Sequence, residues 1–213
     1  MRSRLPLLLQ VPASLAIIAW LPGNGAKLAA LLVLWWITFR PVRRADALLY
    51  LGACFFFTLM NAVSLQQGIF RFSSPDVLGM PVYEIFMWGF YLLHVKRVLG
   101  GEVPHDRRVQ VWLLSALYAL AFATIADADR LLQVTAALLL VGVYLFHQRL
   151  DLAYLGYMVL LGAAVEYVGV FSGQWSYPGN PAGGVPFWFI TLWGGVGLFL
   201  RRLVLPLLPP DSP

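Results

Sequence analysis

Charge and cysteine are both scarce in this chain. Asp, Glu, Lys and Arg make up 12% of its 213 residues, which is about half the share usual in a soluble domain. The one cysteine, Cys54, excludes an internal disulfide, and the three histidines are too far apart to give a Cys/His metal-ligand spacing. No nucleotide-binding motif is present. The sequence therefore predicts neither a metal nor another cofactor.

Apolar residues, by contrast, are abundant. They form 60% of the chain, and its mean hydropathy is +0.75. A helix that crosses the hydrocarbon core needs about 20 apolar residues. Apolar stretches of this order recur between short polar breaks. We therefore expect an all-α polytopic membrane helix bundle with eight spans, at about 5–22, 25–39, 46–66, 80–97, 109–126, 131–147, 152–171 and 184–207.

The second half of the chain repeats the first at an offset of 105 residues, and residues 68–97 align with 173–202. A repeat of this length is typical of a duplicated unit that packs against its copy. Each copy holds an even number of predicted spans, so the copies should be parallel rather than inverted. We expect two parallel four-helix repeats, at 1–104 and 105–213, that together form one transmembrane domain.

The basic residues are distributed unevenly about the predicted spans. If the N-terminus is inside, twelve of the fifteen Lys and Arg residues fall on the inner side. These are Arg2, Arg4, Arg40, Arg43, Arg44, Lys96, Arg97, Arg107, Arg108, Arg149, Arg201 and Arg202; the outer three are Lys27, Arg71 and Arg130. This bias predicts cytoplasmic N- and C-termini, and we expect the cytoplasmic membrane of a prokaryote. Topology and anionic membrane lipid account for the basic charge, without a nucleic-acid partner.

The N-terminal segment Met1–Gly25 has a second interpretation. Its basic start and apolar run also fit a signal peptide. Its alignment with residues 109–127, and the lack of a small-residue cleavage pair after it, favour a retained span.

Two outer loops, residues 66–76 and 172–184, share one pattern. Each has a glycine followed by alternate aromatics, which are Phe70 and Phe72 in the first loop and Trp175 and Tyr177 in the second. Alternation places each pair on one side of an extended segment. Two interpretations stay open: an aromatic belt at the membrane interface, or a pair of lids whose rings cover an apolar ligand.

Three polar side chains fall inside the predicted spans near the outer surface. They are Asn61, Glu84 and Glu166. A charge in hydrocarbon costs several kcal/mol, so these side chains should face the bundle interior. A carboxyl that burial keeps protonated is a candidate proton donor near neutral pH. The structural alternative is that each acid only hydrogen-bonds a neighbouring helix.

Other residues are expected in supporting positions. Asp46 and Asp151 open the third and seventh spans, where an acid suits a helix N-terminus, so they should act as caps. His94 is expected at the inner membrane interface. Trp35 and Trp36 have no counterpart in the second half and are expected to face lipid.

These motifs resemble the membrane carotenoid-biosynthesis proteins. Heterodimeric-type lycopene cyclases carry an acid before a Trp-x-Tyr segment and then Pro-x-Glu-Glu; here Pro81-Val82-Tyr83-Glu84 matches the second Glu only, and residues 186–189 match neither. The run from Glu166 through Gly169 to Trp193 resembles the carotenoid hydratases of bacterioruberin-type pathways.

The resemblance implies a cofactor-independent cyclase or hydratase, an isomerase or lyase acting on an apolar isoprenoid-like substrate that enters from the membrane lipid. Glu84 or Glu166 would protonate a polyene double bond, and Asn61 would orient the acid. Aromatic rings would bind the substrate and stabilise a carbocation; the candidates are Phe70, Phe72, Tyr83, Trp88, Tyr167, Trp175, Tyr177, Trp188 and Trp193.

Two other classes of function remain open. Parallel repeats around a polar site also occur in transporters, so the chain also fits a carrier, a channel or another membrane protein that binds lipid or a small molecule without catalysis. A third class is a degenerate scaffold that keeps the fold and partners another membrane enzyme.

Overall fold

A computed structural model describes residues 5–179 and 184–209. Arg2, Arg4, both chain termini and part of the second outer loop, residues 180–183, lie outside the described residues. Within the described residues the chain is all-helical except for one two-stranded sheet.

Eight α-helices follow one another within residues 5–179 and 184–209. They are α1 (Leu5–Trp20), α2 (Asn24–Phe39), α3 (Arg44–Gln66), α4 (Glu84–Leu99), α5 (Arg108–Thr124), α6 (Ala128–Leu145), α7 (Arg149–Phe171) and α8 (Trp188–Phe199). Two short strands, β1 (Arg71–Phe72) and β2 (Trp175–Ser176), follow α3 and α7. A π-helical turn, Leu200–Val204, and a 3-10 turn, Leu205–Leu207, extend α8.

Four of the described helical segments are long and apolar enough to cross a membrane. These segments are Arg44–Gln66, Ala128–Leu145, Arg149–Phe171 and Trp188–Leu207. By length and composition they indicate a membrane protein. Three further apolar helices, α1, α2 and α5, have 16, 16 and 17 residues, which is short of the length that a perpendicular span needs.

The described residues form two compact units. The first consists of residues 5–98, 165–179 and 184, and the second of residues 99–164 and 185–209. Helix α7 contributes its last turns to the first unit and the rest to the second.

Stacked aromatic rings fill the interior of the first unit. Trp35 on α2 stacks on Phe90 of α4 with ring centroids 3.6 Å apart, and Phe57 on α3 stacks on Trp88 at 3.9 Å.

Trp35 is buried by this stack, so the expectation that it faces lipid is wrong. His94 is also fully buried, and its predicted interfacial position is wrong because α4 turns this residue inward.

In the second unit, α6 packs against α5 and α8. Its apolar cluster is built from Val111, Leu114, Phe146 and Leu198. A hydroxyl chain adds directional contacts between helices. The Tyr118 hydroxyl donates to the Thr191 carbonyl at 2.6 Å, and the Thr191 hydroxyl shares a hydrogen bond of 2.7 Å with Thr135. These bonds satisfy the buried hydroxyls, which would otherwise destabilise an apolar interior.

Asp46 and Asp151 cap their helices as predicted. The Asp46 carboxylate accepts from the Arg43 N–H at 3.2 Å, and Asp151 accepts from the Gln148 N–H at 3.1 Å. Both acids are buried. Each therefore satisfies a backbone donor that a helix start leaves without an intrahelical partner.

The same two acids also form ion pairs that the sequence did not reveal. Asp46 accepts from Lys96 at 2.9 Å and from Arg97. In the second unit Asp151 pairs with both Arg201 and Arg202.

The ends of α3 and α7 close with matching hydrogen bonds. The Gly68 N–H donates to the Leu65 carbonyl, and 105 residues later the Gly173 N–H donates to the Val170 carbonyl. Both glycines have a left-handed φ, +70° and +69°, which favours glycine at a helix C-terminus.

Helix α4 begins later than the predicted residue 80. The Glu84 N–H donates to the Pro81 carbonyl at 3.0 Å in the turn that precedes the helix. Glu84 is therefore the first residue of α4 rather than a residue one turn inside it.

Replacing Asp151 tests the buried ion pairs. We expect Asp151→Asn to lower the free energy of unfolding by about 3–5 kcal/mol, because it removes the carboxylate that buried Arg201 and Arg202 share. Arg202 then keeps only its ion pair with the exposed Asp106. The measurement is thermal or denaturant unfolding in detergent. The control is Asp129→Asn, which makes the same change at an exposed position; equal stability of the two variants would contradict the assignment.

Candidate functional site

The two outer loops meet in a small antiparallel sheet within the first unit. In its register Phe72 lies opposite Trp175 and Arg71 opposite Ser176. Ring centroids are 5.9 Å apart for Phe72 and Trp175 and 6.0 Å for Phe70 and Tyr177. The predicted alternation therefore brings four aromatic rings together across two loops.

Glu166, on α7, lies beside this sheet and is bound by two of its aromatic residues. The Trp175 Nε1–H donates to Glu166 Oε2 at 3.1 Å, and the Tyr177 hydroxyl donates to the same oxygen at 2.6 Å. Glu166 is only 7% exposed. The aromatics that the sequence suggested as flat ring surfaces thus serve as hydrogen-bond donors to a buried acid.

Glu84 has a sparser environment. Among the described residues its carboxyl accepts one side-chain hydrogen bond, from Asn61 Nδ2 to Oε1, at 3.4 Å. Asn61 is buried on α3, while Glu84 is half-buried. The amide contact fits the expected role of Asn61 in orienting an acid, although 3.4 Å is long for a hydrogen bond.

The two carboxyls lie close enough for their charges to interact. The phenol of Tyr91, on α4, is also within electrostatic range of both. Because Glu84, Trp88 and Tyr91 are spaced by four and three residues, they share one face of α4. Tyr91 was not among the residues predicted from the sequence, although this helical spacing from Glu84 was the signal that pointed to it.

Hydrogen-bond donors stabilise a negative charge better at Glu166 than at Glu84. A hydrogen bond to a charged group contributes about 1.5–3 kcal/mol, and Glu166 accepts two that are shorter than the Asn61 contact. The helix dipoles have the opposite effect. They stabilise a carboxylate at Glu84, which begins α4, and destabilise one at Glu166, which lies near the end of α7. Each helix-end effect is about 0.3–1 kcal/mol, so the donors dominate.

Tyr177 stays a neutral donor in this site. Burial raises the pKa of its phenol well above the ordinary value, and the charge of Glu166 raises that pKa further. Tyr177 therefore keeps its proton throughout the physiological pH range and remains available to donate to Glu166.

Side chains at the start of α2 form hydrogen bonds to both outer loops. Buried Lys27 donates to the Gln174 side chain, and its ammonium lies 5.4 Å from the centroid of the Tyr83 ring. Asn24 donates to Asp76 at 2.8 Å. Lys27 was counted only as an outer charge in the sequence; a lone cation inside an apolar span was the signal that it is buried and paired.

The remaining predicted residues fall into three groups. Tyr83 and Trp88 are buried in the first unit, with Tyr83 beneath the Lys27 ammonium. Tyr167 is 38% exposed and stacks on Phe171. Trp188 and Trp193 belong to the second unit, where Trp188 lies edge-on to Phe122 and Trp193 packs against Gly162.

Within residues 5–179 and 184–209, no group of three or more His, Cys, Asp or Glu side chains is placed to hold a metal ion. No family model, curated protein or solved structure matches the chain. Side-chain geometry is therefore what supports a function.

Gly169 gives a test of how Trp175 reaches Glu166. A Cβ at Gly169 would lie 2.0 Å from the Trp175 ring, too close for the indole to stay in place. We expect Gly169→Ala to displace Trp175, to break its bond to Glu166 and to lower the melting temperature in detergent.

The matched control is Gly156→Ala on the same helix. A Cβ there meets nothing within 4 Å, so this variant should be as stable as the wild type or slightly more stable. If the two alanine variants melt alike, the close packing of Trp175 on α7 is wrong.

Proposed function

We propose that this chain is a membrane enzyme of isoprenoid or carotenoid metabolism that protonates a carbon–carbon double bond of an apolar polyene. The observation that carries this proposal is the pair of interacting carboxyls, Glu84 and Glu166, set among aromatic rings in apolar helices. Resemblance of the motifs to carotenoid cyclases and hydratases points to the same chemistry.

The reaction begins with proton transfer from a carboxylic acid to one alkene carbon. The O–H bond breaks, the π-electron pair forms a new C–H bond, and the positive charge stays on the tertiary carbon. Loss of a proton from a neighbouring carbon to a carboxylate re-forms a double bond and gives a cyclised or isomerised product. Attack by water, with its proton passing to a carboxylate, gives a tertiary alcohol instead.

Aromatic rings stabilise such a cation. A cation over an aromatic face gains about 0.5–2 kcal/mol, most when it is desolvated. Phe70, Phe72, Trp175 and Tyr177 form the cluster next to Glu166. Water-poor surroundings also strengthen the attraction between the cation and a carboxylate.

The proposal includes a duplicated architecture of eight spans. Support comes from local features that recur 105 residues apart: the hydrogen bonds that end α3 and α7, and the ion pairs of Asp46 and Asp151. A duplicated four-helix unit produces both. In this topology the ends that carry Asp46 and Asp151 face the cytoplasm, together with the chain termini.

Pigment analysis tests the function. The chain is expressed in a bacterium that makes acyclic carotenoids, and extracted pigments are separated by chromatography. We expect a new cyclised, isomerised or hydroxylated carotenoid with the wild type. Glu84→Gln and Glu166→Gln should each reduce the conversion about 100-fold or more, since general acid–base groups contribute at least this factor.

The control is Glu102→Gln, the same isosteric change at an exposed residue, which should keep the wild-type conversion. Pigments that are unchanged by the wild type and by both site variants would remove this substrate class. Unchanged pigments with Glu84-dependent uptake of a small molecule into proteoliposomes would identify a carrier instead.

A further inference from the structure

We propose that the two acids differ in protonation state and in role. Glu84 carries the proton that passes to the substrate, whereas Glu166 is a carboxylate that Trp175 and Tyr177 hold in its ionised form. The catalytic meaning of this division rests on the proposed function, while the protonation states can be measured without any substrate.

The first support is the unequal supply of donors. Glu166 Oε2 accepts from an indole N–H at 3.1 Å and from a phenol at 2.6 Å. From residues 5–179 and 184–209, Glu84 accepts one side-chain hydrogen bond, an amide contact of 3.4 Å. In surroundings that are poor in water, fixed donors replace solvent as the stabiliser of a carboxylate. Glu166 has that replacement and Glu84 largely lacks it.

The second support is the interaction between the carboxyls. Two like charges that interact in apolar surroundings are not both ionised at low cost, so such a pair retains one proton. The proton stays on the acid whose anion is less well stabilised. By the donor geometry that acid is Glu84.

With these roles, both acids return to their starting protonation states at the end of each turnover. Glu84 gives its proton to an alkene carbon and becomes a carboxylate as the tertiary cation forms. Glu166 then takes a proton, either from the carbon next to the cation or from the attacking water. Transfer of that proton from Glu166 to Glu84 restores both starting states, so neither route consumes or releases a proton overall.

Trp175 and Tyr177 are positioning residues in this account. Their N–H and O–H groups keep Glu166 ionised and fix its orientation. Tyr177→Phe would keep the ring and remove the donor, so this change separates hydrogen bonding from ring packing.

Infrared difference spectroscopy of the detergent-purified full chain tests the protonation states. At neutral pH we expect the C=O stretching band of one buried, protonated carboxyl group in the wild type. Glu84→Gln should remove this band, and Glu166→Gln should retain it. Absence of the band in the wild type, or its loss in Glu166→Gln with retention in Glu84→Gln, would overturn the assignment.

Tyr177→Phe provides an independent readout if Glu84→Gln does not fold. Without the phenol donor, Glu166 should take up a proton at a higher pH than in the wild type, so a second carboxyl band should appear on mild acidification. The control Tyr144→Phe removes a hydroxyl from a residue that is 81% exposed and should leave the titration unchanged. An unchanged titration in Tyr177→Phe would refute the positioning role.

The infrared experiment tests the protonation states and the pigment experiment tests the function, so either claim can be refuted while the other stands. Bands that follow the expected pattern with no pigment conversion leave the acid–base division in place and remove the proposed substrate. Pigment conversion with the opposite band pattern keeps the function and reverses the roles of the two acids.

Discussion

A carboxylate inside apolar helices needs donors or counter-charges, and this requirement organises the described part of the chain. Glu166 meets it with the indole of Trp175 and the phenol of Tyr177. Asp46 and Asp151 meet it with pairs of basic side chains. Glu84 has the fewest donors: among the described residues, its carboxyl accepts one long side-chain hydrogen bond, from the Asn61 amide. The same constraint therefore produces ion pairs at two acids and a pair with unequal hydrogen bonding at the other two.

The small sheet of the outer loops is the element that makes the acidic pair possible. The second outer loop, which contains β2, presents Trp175 and Tyr177 to Glu166, and Gly169 lets the indole approach α7. The first outer loop, which contains β1, places Phe70 and Phe72 beside those rings. Lys27 and Asn24, at the start of α2, bond to the two loops. A short, polar-anchored sheet thus sets the environment of a carboxyl that the helices alone would leave in an apolar interior.

Local patterns in the sequence predicted the helices and the common side of the alternate aromatics. They also selected Asn61, Glu84 and Glu166, which the structure brings together in the first unit. Interactions that depend on distant partners were missed. Asp46 pairs with residues 50 and 51 positions later, and no local pattern encodes such a pair.

Two errors had the same origin. Trp35 was assigned to the lipid and His94 to the membrane interface, whereas both are buried. Every face of an apolar helix has a similar composition, so periodicity does not separate a lipid-facing side from a packed one. The roles of Trp175 and Tyr177 were missed because an indole or phenol offers both a ring face and a donor, and only contacts show which is used.

A double-mutant cycle on the two acids tests most directly whether they share one site. The free energy of unfolding is measured in mixed micelles, at an alkaline pH that ionises both acids, for the wild type, Glu84→Gln, Glu166→Gln and the double variant. Interacting carboxyls predict a coupling energy of about 0.5–3 kcal/mol between the two changes. Single-variant effects that add to within about 0.3 kcal/mol would show that the two acids are independent, and would contradict the account.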